Sequence, residues 1–464
     1  MSADLEQFRL RSLDLGQLTG VSIAAHAIAD AFLLLHSGVG CKHKATTQLS
    51  THDWARGVVS REAWTEVGDA SLIAGSADRI APYARAWKER MHPGVMLLVS
   101  VTFLDLTGDD FADEVRKLDE AFVAQSPPSR AILVKAPGYA GDLWTGYSAA
   151  TLELVRRVDW SAPPDRPTQV SILGYFFDRY EGDHVGNLAQ IGTLLKHLGL
   201  ELGPVFLSGA SWADLTAAPR ARTTLLFPYA ADRRKALERT TKRQLHGVDL
   251  PIGIRSTSAW LRRVGHAAGV DPARVEAVVG HQERATRERI GALVDRLRGQ
   301  RVAVFADLPL LAGTLALLDE FGIEAVTVGI RGHSQGGRSD LAAAMERLGA
   351  PPLPDACAIH ENPSIALVRE SLRALLRAQR LDGVIGSATD MNALTSLPPE
   401  EFFGVQGVAD PERRGPFRLE IGFPAREHHC AYAMPFLGYS GVLMWLQRLL
   451  SAPRTWDSGR RSYV

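Results

Sequence analysis

The chain has 464 residues, of which 46% are hydrophobic, and its 52 lysines and arginines balance 52 aspartates and glutamates. This length predicts two or three domains, and zero net charge argues against a nucleic-acid-binding protein. Three cysteines give no disulfide framework and fit a reducing compartment. We recognise no signal peptide and no apolar run long enough to span a membrane, so we expect a cytoplasmic protein without a membrane partner.

The recurring pattern along the chain is a short apolar run, a glycine or polar turn, and a helical stretch. In the first third, predicted strands at 96–101 and 131–134 flank a predicted helix at 111–124. This strand–helix–strand order favours a parallel sheet. The proline-rich stretch 161–167 is the strongest break in the chain, and we place a domain boundary there.

The same pattern returns twice more. We predict an α/β fold with domains at 1–164, 165–295 and 296–464. The strands expected in the second and third domains are 170–174, 204–207, 223–227, 250–254, 301–305, 323–328 and 383–386. The expected helices are 188–198, 275–297, 310–321, which ends at Gly322, and 442–450.

Cys41 follows an apolar run and a turn that contains Gly38 and Gly40. The two glycines allow a tight turn and remove side-chain bulk beside the sulfur, so a cysteine there can reach a metal or a redox partner. The alternative is a small buried cysteine near a helix end, which is the commoner role of an isolated cysteine.

Other short motifs favour structural roles. The chain has no phosphate-binding Gly-x-x-x-x-Gly-Lys-Ser/Thr motif, so we do not expect it to hydrolyse ATP itself. The stretch 332–336 has the Gly-x-Ser-x-Gly shape of an esterase, but polar and glycine residues continue after it, which favours a flexible glycine loop.

The segment Glu427-His428-His429-Cys430 is the other dense cluster of possible ligands. Adjacent histidines often point in different directions, so we expect one imidazole to form a local hydrogen bond and the other to be exposed. Cys357 stands just before an inferred helix and is interpreted as a packing residue.

Several segments taken in order resemble the component 1 subunits of nitrogenase and nitrogenase-like oxidoreductases. The first, 36–41, resembles the His-Gly-x-x-Gly-Cys turn that ligates a cluster in this family. The others are Ser71 to Ile80, Thr102 to Asp110, Ala136 to Gly141 with Gly146-Tyr147, and Gly422-Phe423-Pro424 with His428-His429 and Phe436 to Gly441. The resemblance implies three Rossmann-like domains with parallel sheets flanked by helices.

The chain departs from the family pattern at the other cluster ligands. Family subunits with three ligands have a cysteine where Phe103 stands and another where Leu18 or a neighbour stands; only Cys41 remains. This resembles the single-cysteine β-type subunit of the cofactor-maturation scaffold and, more loosely, of the dark chlorophyll-pathway reductases. The resemblance implies that Cys41 binds an iron–sulfur cluster whose other ligands come from a partner subunit.

The family resemblance also implies a reaction scheme and partners. A homologous α-type subunit in an α2β2 complex would share the cluster, and an ATP-dependent iron–sulfur reductase would deliver electrons. The substrate would be of the methylthio-alkane or tetrapyrrole type. The sequence leaves open the substrate, the type of cluster, a second metallocofactor, and any metal role of Cys357, His428, His429 or Cys430.

Two other functions stay open. One is a non-catalytic scaffold subunit on which a nitrogenase metallocofactor is assembled. The other is a stand-alone α/β binding protein or sugar-nucleotide-type enzyme in which Cys41 is structural and no cluster is bound. Iron and acid-labile sulfide in the purified complex would separate the reductase subunit and the scaffold subunit from the stand-alone protein.

Overall fold

The computed structural model describes residues 15–38, 40–41, 61–68, 75–107, 110–332, 334, 336–398, 401 and 415–454. Within these residues the chain forms three sheets in succession, and every strand pair in them is parallel. We call each sheet with its helices the first, second and third unit. The α/β fold with three parallel sheets is therefore confirmed.

The first unit has the strand order β2-β1-β3-β4. Its strands are β1 Ala31–His36, β2 Glu62–Trp64, β3 Val95–Val101 and β4 Arg130–Ala136. Its helices are α1 Gln17–His26, α2 Ile80–Met91, α3 Thr102–Thr107, α4 Ala112–Val123 and α5 Leu143–Val155. The predicted strands at 96–101 and 131–134 and the helix at 111–124 are confirmed.

Helices cover both faces of this first sheet. Every residue of β3 is buried, which is typical of a parallel sheet covered on both sides. Side chains of one strand alternate between the two faces. Leu33 and Leu97 pack in the core that contains α1 and α5, whereas Leu34 and Leu98 pack in the core that contains α2 and α4.

The second unit has the strand order β6-β5-β7-β8. Its strands are β5 Arg166–Leu173, β6 Glu201–Val205, β7 Ala221–Leu226 and β8 His246–Gly247. Its helices are α6 Gly182–His197, α7 Trp212–Leu215, α8 Arg234–Thr241, α9 Ile254–Ala268 and α10 Pro272–Ile290. Helix α10 ends before Gly291, where φ is +41°, so the predicted helix at 275–297 continues only as a 3₁₀ turn, Gly291–Arg296.

The third unit has the strand order β11-β10-β9-β12-β13. Its strands are β9 Arg301–Asp307, β10 Glu324–Arg331, β11 Ala358–Glu361, β12 Gly383–Gly386 and β13 Phe417–Glu420. Its helices are α11 Leu308–Glu320, α12 Arg338–Arg347, α13 Ile365–Arg377 and α14 Ala388–Thr395. The last helix, α15 Gly438–Ser451, leaves this unit and packs on α6, α9 and α10. The domain boundaries at 164/165 and 295/296 stay a prediction.

Two sequence predictions are wrong. The expected strand at 250–254 is a non-strand segment that leads into α9, because Glu320, remote in sequence, caps that helix by accepting the N–H groups of Ile254 and Arg255, both at 2.8 Å. Pro251 also lacks the N–H group that a strand would use. Cys357 precedes strand β11 rather than a helix, although its predicted packing role agrees with its burial in the core.

Gly322, with φ at +70°, ends α11 as expected. None of the described helices is long and apolar enough to cross a membrane.

Helices α1 and α5 touch through two glycines. A Cβ atom on Gly20 would lie 1.9 Å from the carbonyl oxygen of Leu143, and one on Gly146 would lie 2.0 Å from that of Gln17. Backbone atoms at this distance cannot rotate away, so we expect Gly146→Ala to lower the free energy of unfolding by about 3 kcal/mol. Chemical denaturation measures this loss.

The matched control is Gly280→Ala in α10. The nearest atom to a Cβ there is the flexible end of Arg284, at 3.5 Å. We expect this substitution to stabilise the chain by about 0.5 kcal/mol, because it removes backbone freedom from the unfolded state. Equal effects of the two substitutions would contradict the close helix crossing.

Candidate functional site

Cys41 lies just beyond the carboxyl end of β1. Gly40 and Cys41 are helical, and Cys41 is half-buried. It packs at the edge of the core formed by the outer face of the first sheet, and Leu18 packs on the same core. Among the described residues, no atom lies within 4 Å of the place that a Cβ atom on Gly40 would take.

His36 holds the end of β1 beneath this turn. Its Nδ1 atom lies 2.8 Å from Thr65 Oγ1, and its Nε2 atom lies 3.0 Å from Ser76 Oγ. The ring is buried and makes an edge contact with Phe111, with centroids 4.5 Å apart. Because both ring nitrogens are engaged, His36 fixes the strand end and is not a candidate metal ligand.

One thiol cannot hold a four-iron cluster, which needs four ligands. Cys357 lies in the core of the third unit, and burial raises the pKa of its thiol to about 11. Cys430 lies beside the second unit. Phe103 belongs to α3, but its side chain lies outside the described residues, as does the part 71–74 of the matching segment 71–80. The described residues therefore fit a cluster only if a partner supplies the other ligands.

A cavity of about 60 Å³ lies where the carboxyl ends of the second and third sheets face each other. Tyr175 and Tyr229 follow strands β5 and β7, and Asp307 and Glu420 end strands β9 and β13. Trp445 of α15 lies on another wall. Ligands of parallel α/β sheets bind at the carboxyl ends of strands, so this cavity is the candidate substrate site.

Arg179 lies among three buried carboxylates beside this cavity. Its guanidinium group contacts Asp178 and Glu181, both at 3.3 Å, and also pairs with Asp183. None of these four residues is more than 6% exposed. Burial opposes the positive charge, but the carboxylates outweigh burial and raise the pKa of Arg179 above its ordinary value. The arginine is the internal counterion of the group.

The segment 427–430 is joined to the second unit through Glu181. His429 Nδ1 lies 2.7 Å from Glu181 Oε1, and the Cys430 N–H donates to Glu181 Oε2 at 2.8 Å. His428 Nε2 lies 3.2 Å from Cys430 Sγ. Both imidazoles are half-buried, so the expectation that one would be exposed is wrong. The reason is a long-range partner that the neighbouring sequence does not reveal.

Glu181, Asp183 and Cys430 have ligand atoms within 4.8 Å of one another, a spacing that a metal ion could use. Arg179 already neutralises both carboxylates. Burial raises the pKa of Cys430 to about 11, so its sulfur is a thiol at neutral pH. The group is therefore an ion-pair cluster closed by an arginine, and we assign no metal to it.

Burial, together with the nearby Arg448 and Arg179, lowers the pKa of His428 to about 4. In the unfolded chain the same imidazole takes up a proton near pH 6.5, so protonation favours the unfolded state below that pH. The free energy of unfolding is therefore highest above pH 6.5 and decreases as the pH falls towards 4. We expect His428→Gln to reduce the loss of unfolding free energy between pH 7 and pH 4.5 by up to about 3 kcal/mol. Denaturant titrations at several pH values measure it.

The control for this measurement is His197→Gln, because His197 is exposed on α6. We expect that variant to keep the pH dependence of the native chain. A His428→Gln profile that overlays the native profile would show that the imidazole is not held neutral by its surroundings.

Ser334 has no catalytic partner among its contacts in the described part of the chain. Its hydroxyl donates to Asp142 at 2.6 Å, and its N–H donates to the same carboxylate at 3.0 Å. Asp142 also caps helix α5. The serine therefore joins the third unit to the first, and the esterase interpretation gains no support.

Sequence reasoning missed Arg179, Asp307, Glu420 and Arg448 as site residues. Asp307 ends β9 and closely follows the predicted strand at 301–305, so a polar residue at a predicted strand end was the available signal there. Arg179 lies farther beyond the end of β5, and the sequence predicts no strand where Glu420 ends β13, so neither residue carried this signal. Arg448 lies inside the last helix, and nothing in its sequence surroundings marks it.

Comparison with known proteins identifies the family of this chain. The family pattern described as nitrogenase component 1 type oxidoreductase matches residues 16–453. The chain is 22% identical over 327 residues to the nitrogenase iron-molybdenum cofactor biosynthesis protein NifE of Clostridium pasteurianum, which is 69% of this chain and 68% of that protein. It is 23% identical over 290 residues to the light-independent protochlorophyllide reductase subunit N of Rhodopseudomonas palustris, which is 62% and 65% of the two chains.

The fold comparison agrees. A solved structure titled "Nitrogenase Cp1 at pH 6.5" superposes with a TM-score of 0.74 at 16% identity and covers 97% of this chain and 94% of that chain. This likeness concerns the fold alone, whereas the family pattern matches the sequence over nearly the whole chain. The chain belongs to the nitrogenase component 1 type oxidoreductases.

Proposed function

We propose that this chain is the β-type subunit of a cytoplasmic, nitrogenase-like reductase complex and that Cys41 ligates an iron–sulfur cluster shared with a homologous α-type subunit. The observation that carries the proposal is the position of Cys41, which lies half-buried just beyond the carboxyl end of β1, whereas Cys357 and Cys430 are buried. A partner that docks against this end of the first sheet could supply the remaining ligands. The family membership supports the same assignment.

The roles of the chain's own residues follow from their positions. Cys41 would give a thiolate to the cluster, which supplies one-electron storage when bound. His36 fixes the strand end below the turn, and Gly40 adds no side chain beside the sulfur. The cavity between the second and third units would hold the substrate in surroundings from which its aromatic walls exclude most water.

An α2β2 complex with an ATP-dependent iron–sulfur reductase is part of the proposal. Anaerobic co-purification of the native complex, followed by iron and acid-labile sulfide analysis, tests the cluster. Substrate reduction that requires both the reductase and ATP tests the catalytic role. A complex purified without oxygen that lacks iron would contradict the proposal and leave the stand-alone α/β protein.

A scaffold subunit for metallocofactor assembly is the second candidate. The observation that favours it is the similarity to NifE, whose name describes cofactor biosynthesis. Such a complex would contain the shared cluster but would not turn over a substrate with the reductase and ATP. The turnover assay therefore separates the two candidates.

A further inference from the structure

Asp307 is a buried carboxylate that uses only one of its oxygens. Its Oδ1 atom accepts the Tyr229 hydroxyl at 2.9 Å and the Leu310 N–H at 3.3 Å. Among the described residues, no donor is hydrogen-bonded to Oδ2 and no cationic side chain pairs with Asp307. The residue is 4% exposed and lies on the cavity wall. Oδ2 is not among the fully buried side-chain atoms that lack a partner, so it keeps accessible surface, and a bound group at the cavity wall can pair with it.

The charged side chains that line the cavity give a second reason to expect a bound cation. Its lining includes four carboxylates, of Asp178, Asp183, Asp307 and Glu420, against the guanidinium groups of Arg179 and Arg448. Arg179 serves Asp178 and Asp183, and the Glu420 side chain accepts the N–H groups of residues 426–428. Asp307 is the lining carboxylate that has no such partner for its second oxygen.

The remaining walls combine aromatic with aliphatic side chains. The lining includes the rings of Tyr175, Phe176, Tyr229, Phe436 and Trp445. Phe176 and Tyr229 have ring centroids 5.0 Å apart. Aromatic faces attract cations, most strongly when the cation has lost its water. A carboxylate beside aromatic rings is the combination that recognises alkylated ammonium and sulfonium groups.

The same lining does not fit a thiolate-ligated metal cluster. No cysteine is among the described lining residues. The one lining histidine, His184, has Nε2 at 2.5 Å from Asp178 Oδ1 and Nδ1 at 2.8 Å from the Tyr175 hydroxyl. Clusters bind soft thiolate ligands, and the cavity offers none.

We infer that this cavity binds a small organic cation, with the charge against Asp307 Oδ2 and the alkyl groups against the aromatic walls. A volume of about 60 Å³ has room for roughly four to six water-sized groups, which is the size of a trimethylated ammonium or sulfonium head group. The inference rests on the proposed function only in treating the cavity as the substrate site.

The test is a binding titration on the native complex, without reductase, ATP or reductant, so its failure is separate from failure of the proposed electron transfer. The probes are tetramethylammonium, the neutral tert-butanol and the anionic pivalate, followed by ligand-observed NMR. We expect tetramethylammonium to bind saturably and at least about tenfold more tightly than tert-butanol, and pivalate not to bind.

Asp307→Asn assigns the binding to this cavity, because the amide oxygen can still accept from Tyr229 and Leu310. We expect this variant to weaken tetramethylammonium binding at least about tenfold and to leave tert-butanol binding unchanged. Equal affinity for the three probes, no effect of Asp307→Asn, or an iron anomalous-scattering peak inside the cavity would overturn the inference. If the variant does not fold, the probe series on the native complex still decides the outcome.

Discussion

Complex purified without oxygen from the Cys41→Ala variant is expected to lose nearly all the iron and sulfide of the shared cluster, together with the cluster's visible absorption. The cluster needs four ligands, and Cys41 is the one cysteine of this chain that is not buried. An alanine in its place keeps the helical backbone and removes only the sulfur. Reductase-dependent turnover should fall below detection with the cluster.

The matched control for this variant is Cys357→Ala. That cysteine is buried in the third unit and hydrogen-bonds weakly to its neighbour, Ala358. We expect the control to keep its iron and to lose about 1 kcal/mol of stability from the small cavity that it leaves. A Cys41→Ala complex with the native iron content would remove the basis of the proposed function.

Replacing Arg179 by methionine is expected to destabilise the chain by about 3–5 kcal/mol at pH 7.5, because three buried carboxylates lose their shared counterion. Asp178, Glu181 and Asp183 would then stay buried without a cation or would have to be hydrated. Denaturant titrations at pH 7.5 measure the effect.

Arg116→Met is the control for this substitution. Arg116 also pairs with two carboxylates, Asp113 and Glu120, but its side chain is 58% exposed on α4. Exposed ion pairs contribute little, so we expect a loss of at most about 0.5 kcal/mol. Similar losses for the two variants would mean that burial does not strengthen the Arg179 network.

The alternation of strands and helices along each third of the chain is a local sequence pattern, which is why the parallel sheets could be predicted. The site could be predicted only in part. Cys41 was found because its turn is contiguous in sequence. The contact between Glu181 and Cys430 joins residues 249 positions apart, and no local pattern encodes it. The failed strand at 250–254 has the same cause, since the cap that sets the start of α9 comes from Glu320.

The path of the chain after β13 has a mechanical consequence. The Gly182 N–H donates to Cys430 O at 2.8 Å, and the Met434 N–H donates to Gly182 O at 3.0 Å. Asn187 Oδ1 accepts the N–H groups of Phe436 and Leu437. The four bonds fasten this segment to the start of α6, so the last helix moves with the second unit, and pulling the segment away from α6 would break all four bonds at once.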